Sequence, residues 1–460
     1  MEPARRPLRF MRIIRLCRTP SSLIATLFFG CVAYQPQPVE PLAVLRELEK
    51  ATLPPSGLDS GASPRTGSQL TARQAAGWAV THNPALVALR ADVGIADAEL
   101  VRAGLLPDPV VGWDAMNVVA VETVGITAKT PEYVAGLGLS WEVPRPGEIG
   151  ARVGTAQARK EEVQQRILAA EWRLVREVHG AFTEFVAARA RLDLNSSSLE
   201  IAQRTASFFD EAREVGGATA IQENVAGIEV ARLQQEHVRL ESELQTARQD
   251  LNWLLGLPPG TDIEPETPED PFVVTEADLD VAQLVEQAVQ RRPDLRQLLA
   301  LYQAAEEELR LEAARQWPQL TIGTGLWAVL PIFSRFNGPA IQAAMARRER
   351  VAREVRSAVH TLRAETHKAV TALRNAVRQV RAFDDTLVPR VQESLRLTDE
   401  AFAAREVTLV EILTAQKQVL DVRTNHLEAR IRATQARILV DTVTGRVLTE
   451  ELGAQEEERR

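Results

Sequence analysis

Residues 83–109 read NPALVALRADVGIADAELVRAGLLPDP, and residues 292–318 read RPDLRQLLALYQAAEEELRLEAARQWP. The two stretches align without gaps at an offset of 209. Asn83-Pro84-Ala85-Leu86 faces Arg292-Pro293-Asp294-Leu295, and Ala96, Glu99-Leu100 and Pro109 face Ala305, Glu308-Leu309 and Pro318. The match extends from 72–112 to 281–321. A second block holds at a different offset: Pro144 faces Pro331 at 187, and a steady 189 follows. At 189, Ala226 meets Ala415, Ala247-Arg248 meets Ala436-Arg437, and Gly256 meets Gly445. Matches held in order over such a span indicate an internal duplication.

Each copy has one coarse order. The pattern predicts a helix over 71–106 (and 280–315), a proline-bounded segment over 107–146 (316–338), a long helix over 148–215 (338–404), and a last helix over 219–256 (408–448). The long helices carry heptad-like apolar spacing: Val163, Ile167, Ala170, Leu174, Val178, Ala181 and Phe185 in the first, Val359, Leu362, Thr366, Val370, Leu373, Val377 and Val380 in the second. At 1.5 Å per residue each is about 100 Å long, close to the summed length of its two shorter partners. Asn195-Ser196-Ser197-Ser198 in one copy and Pro389 in the other predict a waist or kink.

The proline-bounded segments read as strands. Val110-Val111-Gly112-Trp113 and Val134 to Trp141 are small and apolar, as is Leu320 to Trp327. Four of the seven tryptophans (Trp113, Trp141, Trp317, Trp327) fall in or beside them. Tryptophan at strand ends is the girdle pattern of outer-membrane barrels, and packing of a small sheet is the alternative use.

Composition narrows the rest. The 460 residues hold 54 basic and 62 acidic side chains, a net charge of −8. Residues 1–30 contain six Arg and one acid, so the remainder carries 48 basic and 61 acidic residues, net −13. An acidic body without a basic stripe argues against nucleic acid as a partner. The same N-terminal stretch reads as a secretory signal, with a basic start and a short apolar run, Leu23 to Phe29, before Gly30-Cys31. The Gly-Cys end resembles a lipobox, which makes Cys31 the candidate lipidation site; a plain signal cut near Ala33 is the alternative. Residues 31–69 read as an extended, lipid-anchored tether, 257–279 as a proline-rich linker and 451–460 as a charged tail. The two copies then occupy 70–256 and 280–450. With cysteine only at positions 17 and 31, the body has no disulfide, cysteine zinc site or thiol nucleophile.

The ordered set resembles the TolC-type outer-membrane efflux family, narrowly its lipoprotein branch, and Leu330 to Gly338 (LPIFSRFNG) is especially like the heavy-metal efflux members. The residues that carry it are Asn83 to Leu86, Leu106-Pro107-Asp108-Pro109, Arg292 to Leu295, Trp317-Pro318, Leu330 to Phe333 and Gly216 through Ala226. The resemblance implies a mainly α fold with a small β part. Internally duplicated helical hairpins would form a trimeric α-barrel, and three chains would supply strands to an outer-membrane β-barrel. It further implies the cell outer membrane and periplasm of a Gram-negative bacterium as location, outer-membrane lipids as surroundings, and a periplasmic adaptor and an inner-membrane transporter as partners. Such a homotrimer is the passive exit duct of a tripartite pump for solutes or metal cations, and no enzyme. The periplasmic tip turns would hold Gly216 and Gly217 in copy one and Arg405 in copy two, where the family has glycine. Glu223 and Glu411, six residues past these turns, are candidate duct-lining carboxylates.

One departure bears on function. The fall in offset from 209 to 187 means that the second β segment is shorter than the first by that difference. The second runs only from Pro318 to Pro331, whereas the first runs from Pro109 to Pro144. A membrane strand needs about 9–11 residues, so the span from Pro318 to Pro331 cannot cross twice. The alternative is therefore a periplasmic structural or interaction lipoprotein of the same family without a competent pore. No phosphate-binding, nucleophile-elbow or metalloprotease motif occurs. The six histidines and four methionines form no ligand set, so no catalytic residue, cofactor or metal is expected.

Overall fold

The computed structural model describes residues 36, 38–50, 68–118, 132–266, 272, 280–323, 326–403 and 408–446. Cys31, Arg405, the leader and the charged tail lie outside the described residues. A short helix, α1 (Pro41–Leu48), belongs to a separate unit that ends at Glu49. All other elements belong to the larger unit.

Copy one runs β1 (Ser68–Leu70), α2 (Ala72–His82), α3 (Pro84–Ala103), β2 (Val110–Val118), β3 (Glu132–Val143), α4 (Glu148–Glu214), α5 (Ala220–Leu255) and β4 (Ile263–Pro265). Copy two runs α6 (Val281–Arg291), α7 (Pro293–Ala314), β5 (Gln319–Ile322), β6 (Leu326–Val329), α8 (Gly338–Ala382), a π turn (Phe383–Leu387), α9 (Val388–Ala403) and α10 (Leu409–Val443). The fold is mainly helical with a small sheet, as the duplicated pattern implies. Its longest helix, α4, has 67 residues.

The first helix of each copy is two helices, not one. Asn83 and Arg292 sit at φ −61, ψ 122 and φ −64, ψ 122, the extended backbone imposed on a residue before proline. The Asn83 side chain caps the break, accepting from the backbone N–H of Ala85 at 3.0 Å and donating to the Leu254 carbonyl at 2.9 Å. Each break sits under the glycine that ends its copy. Gly256 and Gly445 are left-handed at φ 71 and 72, and an added Cβ would come 3.0 Å from Pro84 Cδ or 3.1 Å from Arg291 Cβ. These glycines serve both a positive φ and a close approach.

The expected waists part company. Ser196, Ser197 and Ser198 lie inside an unbroken α4, each hydroxyl donating to the carbonyl four residues back at 2.8–3.0 Å, which satisfies it within the helix. Pro389 does disturb its helix. It follows the π turn, because a ring with no N–H cannot complete the ladder to Asp385 and one extra residue is looped out.

Burial follows the heptad reading. Ile167, Leu174, Val178 and Phe185 are buried on α4, as are Leu362, Thr366, Val370, Leu373 and Val377 on α8. The main core joins α4 to Leu251 and Leu255 of α5, to Ala75, Ala76 and Ala79 of α2, and to Ile431 of α10. A second core joins Val370, Leu373 and Val377 to Leu284, Val440 and Val443. Strands β1 and β4 pair in parallel, Ser68 with Ile263 through Leu70 with Pro265. The other sheet has the order β2-β3-β5-β6 and is antiparallel throughout.

Candidate functional site: the helical body and its two ends

At one end α4 turns into α5. The Gly216 N–H donates to the Arg213 carbonyl at 2.9 Å and the Gly217 N–H to the Ala212 carbonyl at 2.7 Å, the paired bonds of a Schellman termination. Gly216 takes φ 78, which an L side chain rarely adopts, and a Cβ on Gly217 would lie 3.3 Å from the Ala212 carbonyl oxygen. Thr219 then caps α5 in a reciprocal box with Gln222, and Thr408 caps α10 with Glu411 in the same way. The two boxes set Gln222 opposite Glu411, so Glu223 stands one position away from the true counterpart of Glu411. Both carboxylates have work within the chain: Glu223 is ion-paired to Arg213, and Glu411 accepts from the Thr408 N–H at 2.8 Å. The bonds from Thr408 hold the Glu411 carboxyl below the usual carboxylate range. Arg213 was not legible as part of the turn, since its partner lies ten residues on, across a Gly-Gly reversal.

Between the ends, charged ties hold the helices in register. Arg191 of α4 donates to Glu428 of α10 at 2.6 Å and to Glu184 at 2.7 Å, and its pKa rises, chiefly through the bond to Glu428. Arg90 binds Glu171 at 2.6 Å, Arg166 binds Asp92 at 2.9 Å and Lys160 binds Asp97 at 2.7 Å, locking α3 onto α4. Arg292 is buried at the α6–α7 break. It stacks over Trp172 of α4 at 5.1 Å and pairs with Asp294 and with Glu365 of α8, at 2.5 and 2.6 Å. Burial acts to lower its pKa, and the two acids more than offset that. No periodicity reveals such pairs, because Arg191 and Glu428 are 237 residues apart.

At the other end lies the sheet. Strand β2 pairs with β3 over nine positions, Val110 with Ser140 through Val118 with Glu132, while β3 pairs with β5 only at Trp141, Glu142 and Val143. The register puts the apolar residues Val111, Leu139, Trp141, Val143, Leu320, Ile322, Leu326 and Ala328 on one face, which Asn117 and Tyr133 join at the far end of the first hairpin. Leu326 is 72% exposed there, Val111 62% and Leu139 58%. Ser140, Glu142, Gln319 and Thr321 share the opposite face with Trp327. Trp141 is tied down by a bond from Nε1 to the Pro107 carbonyl at 2.9 Å, and Trp317 is 53% exposed at the helix end of the hairpin.

Among the described residues no group of histidine, cysteine or acidic side chains has metal-binding geometry, and no helix is long and apolar enough to cross a membrane. What the geometry offers is shape: paired helices about 100 Å long between a glycine turn and a sheet whose helix-proximal half is apolar on one face.

In fold, these features are similar to those of solved outer-membrane channels. Residues 78–257 match the family described as outer membrane efflux protein. The cobalt-zinc-cadmium resistance protein CzcC of Cupriavidus metallidurans is 23% identical over 325 residues, 65% of this chain and 74% of that protein. The pyoverdine export outer membrane protein OpmQ of Pseudomonas aeruginosa is 22% identical over 327 residues, 66% of this chain and 68% of its own length. The solved structure of CusC superposes with a TM-score of 0.67 at 18% identity, covering 85% of this chain and 96% of CusC. The outer-membrane channel OprN superposes at 0.66 with 16% identity, covering 81% and 89%.

Proposed function

We propose that the chain is the outer-membrane component of a tripartite efflux pump, a passive duct that works as a homotrimer. The observation that carries this reading is the duplicated pair of helical hairpins, each about 100 Å long, in a chain whose first copy matches the outer membrane efflux family. That length suits a conduit across the periplasm, and the apolar sheet face suits lipid. A periplasmic adaptor would meet the tip turns, at Gly216 and Gly217 and at Arg405. An inner-membrane transporter would supply the energy, so the chain itself needs no catalytic group. Glu223 and Glu411 would stand near the mouth and bias it toward cations. The similarity to the cobalt-zinc-cadmium resistance protein supports divalent metal cations as cargo. Acylation of Cys31 would add a lipid anchor to the outer membrane.

Deleting the gene in its host should raise cell-associated zinc, cobalt or cadmium, and the wild-type chain should restore export. Unchanged accumulation with every metal would remove the metal assignment. Absence of conductance from purified trimer in planar bilayers would remove the duct itself. A second reading, a periplasmic interaction lipoprotein without a competent pore, is favoured by one observation: β5 and β6 have only four residues each. Co-purification with an adaptor but no conductance in bilayers would select it.

A further inference from the structure

We infer that His426 is a protonation-controlled latch on the joint between α8 and α9: its charged form holds the π turn against α10, and its neutral form releases α9. The inference goes beyond the duct reading and stands on contacts within one chain. Its first support is the joint itself. The π turn Phe383–Leu387 loops out one residue ahead of Pro389 and so interrupts the helical ladder between α8 and α9. Beyond the joint α9 is weakly held. No described residue from Arg378 to Glu400 is buried, whereas Val377 just before it is, as are Ile412 and Val419 of α10. The main contacts of α9 are with α10 and the π turn. A cavity of about 630 Å³ is lined by Leu395 and Thr398 of α9, Phe208 of α4 and Leu233 of α5. An arm with no buried side chain and open space beside it follows whatever its joint does.

The second support is what grips the joint. His426 stands on α10 with its side chain 20% exposed, and its Nε2 is closed to water. Asp384 Oδ1 of the π turn lies 2.9 Å from that nitrogen, off the hydrogen-bond axis. The Phe383 ring stacks on the imidazole with centroids 5.7 Å apart and planes 26° apart. Both partners favour the charged ring, since Coulomb attraction needs no axis and an aromatic face attracts a cation within about 6 Å. A neutral ring in the same place leaves its buried nitrogen without a hydrogen bond. Histidine is the side chain that changes charge between about pH 5 and 8. The grip is therefore present at the acid end of that range and lost as pH rises through it. The bonds Arg191 to Glu428 and Gln416 to Thr205 set the register of α10 on α4 and bring Asp193 level with His426. The other charged groups at this level are Asp385 of the π turn, Arg378 and Arg381 of α8, Arg390 of α9, and Arg423 and Arg430 of α10. Among the described residues His426 pairs with Asp384 alone.

The test is amide hydrogen exchange on the full chain, read by mass spectrometry at about pH 5.5 and about pH 8 and corrected for the intrinsic rate at each. Residues 388–403 should exchange several-fold more slowly at the lower pH, while the body of α4 keeps equal protection. His426→Gln and Asp384→Asn should each hold 388–403 at the unlatched level in both buffers. His426→Lys keeps a positive charge in both and should restore protection at the higher pH, a gain that a misfolded variant would not give. A wild-type chain without a pH response over 388–403, or a response that survives His426→Gln, would overturn the inference. So would a response of equal size in α4, because titration elsewhere would then be loosening the whole body. An unchanged response in Asp384→Asn would remove the pairing on which the latch rests. None of these readings requires a pore, so failure of the latch is told apart from failure of the duct by the bilayer recording above.

Discussion

Gly216 shows how much a single backbone angle decides. Its φ of 78 lets α4 end in two bonds and return as α5 within five residues. Gly216→Val should cost about 1–2 kcal/mol, the penalty for a side chain in left-handed backbone, read as a lowered midpoint in denaturant unfolding. Glu411 carries a pH effect that its counterpart lacks. Its folded-state pKa is depressed by the bonds from Thr408, so its contribution to stability is complete above the ordinary carboxylate pKa and is lost as pH falls through the lower folded value. Gln222 makes the same box without titrating. Amide exchange at the start of α10 should therefore lose protection relative to the start of α5 on acidification below pH ~4.5, and Glu411→Gln should abolish that difference. Equal behaviour of the two boxes would refute the assignment.

The helices show where local signals suffice. Heptad spacing picked the buried stripe of α4 and of α8 because a long helix must present one side to its neighbours whatever the sequence elsewhere. The break at Asn83-Pro84 is not legible in the apolar spacing, although proline announces it, because the periodicity runs through the break without a change of phase. Ser196 to Ser198 misled in the other direction, since a serine's hydroxyl can be satisfied inside the helix as well as at its end. Pro389→Ala should restore the N–H and let the π turn at Phe383–Leu387 relax to α-helix. Slower amide exchange over 383–392 would show this, and unchanged protection would mean that packing, not proline, sets the turn.

At the scale of the molecule the two copies are joined by charge as well as by apolar contact. Arg292 bridges Trp172 of the first copy and Glu365 of the second. Arg292→Met should lower stability by about 1.5–3 kcal/mol, the usual worth of hydrogen bonds to a charged group. It should also broaden the unfolding transition, as the copies begin to melt apart. A sharp transition at the wild-type midpoint would show that the apolar core alone couples them. The sheet also acts at this scale. One copy supplies a hairpin paired over nine positions and the other supplies one paired over four, so the exposed strand surface differs between two halves of a single design.

The sequence by itself determined the duplication, the helical order, the glycine reversal at the tip and the missing length of the second hairpin. Those are properties of spacing, proline and glycine, and they act through the nearest few bonds of the chain. Only the tertiary structure decided which carboxylate matches which across the copies, that Arg213 holds Glu223, that Arg191 reaches Glu428, and that Asn337 ties the turn before α8 to Glu312. The physical reason is distance along the chain. A capping box or a proline break is settled within four residues, whereas an ion pair between helices forms only after packing has fixed which faces meet.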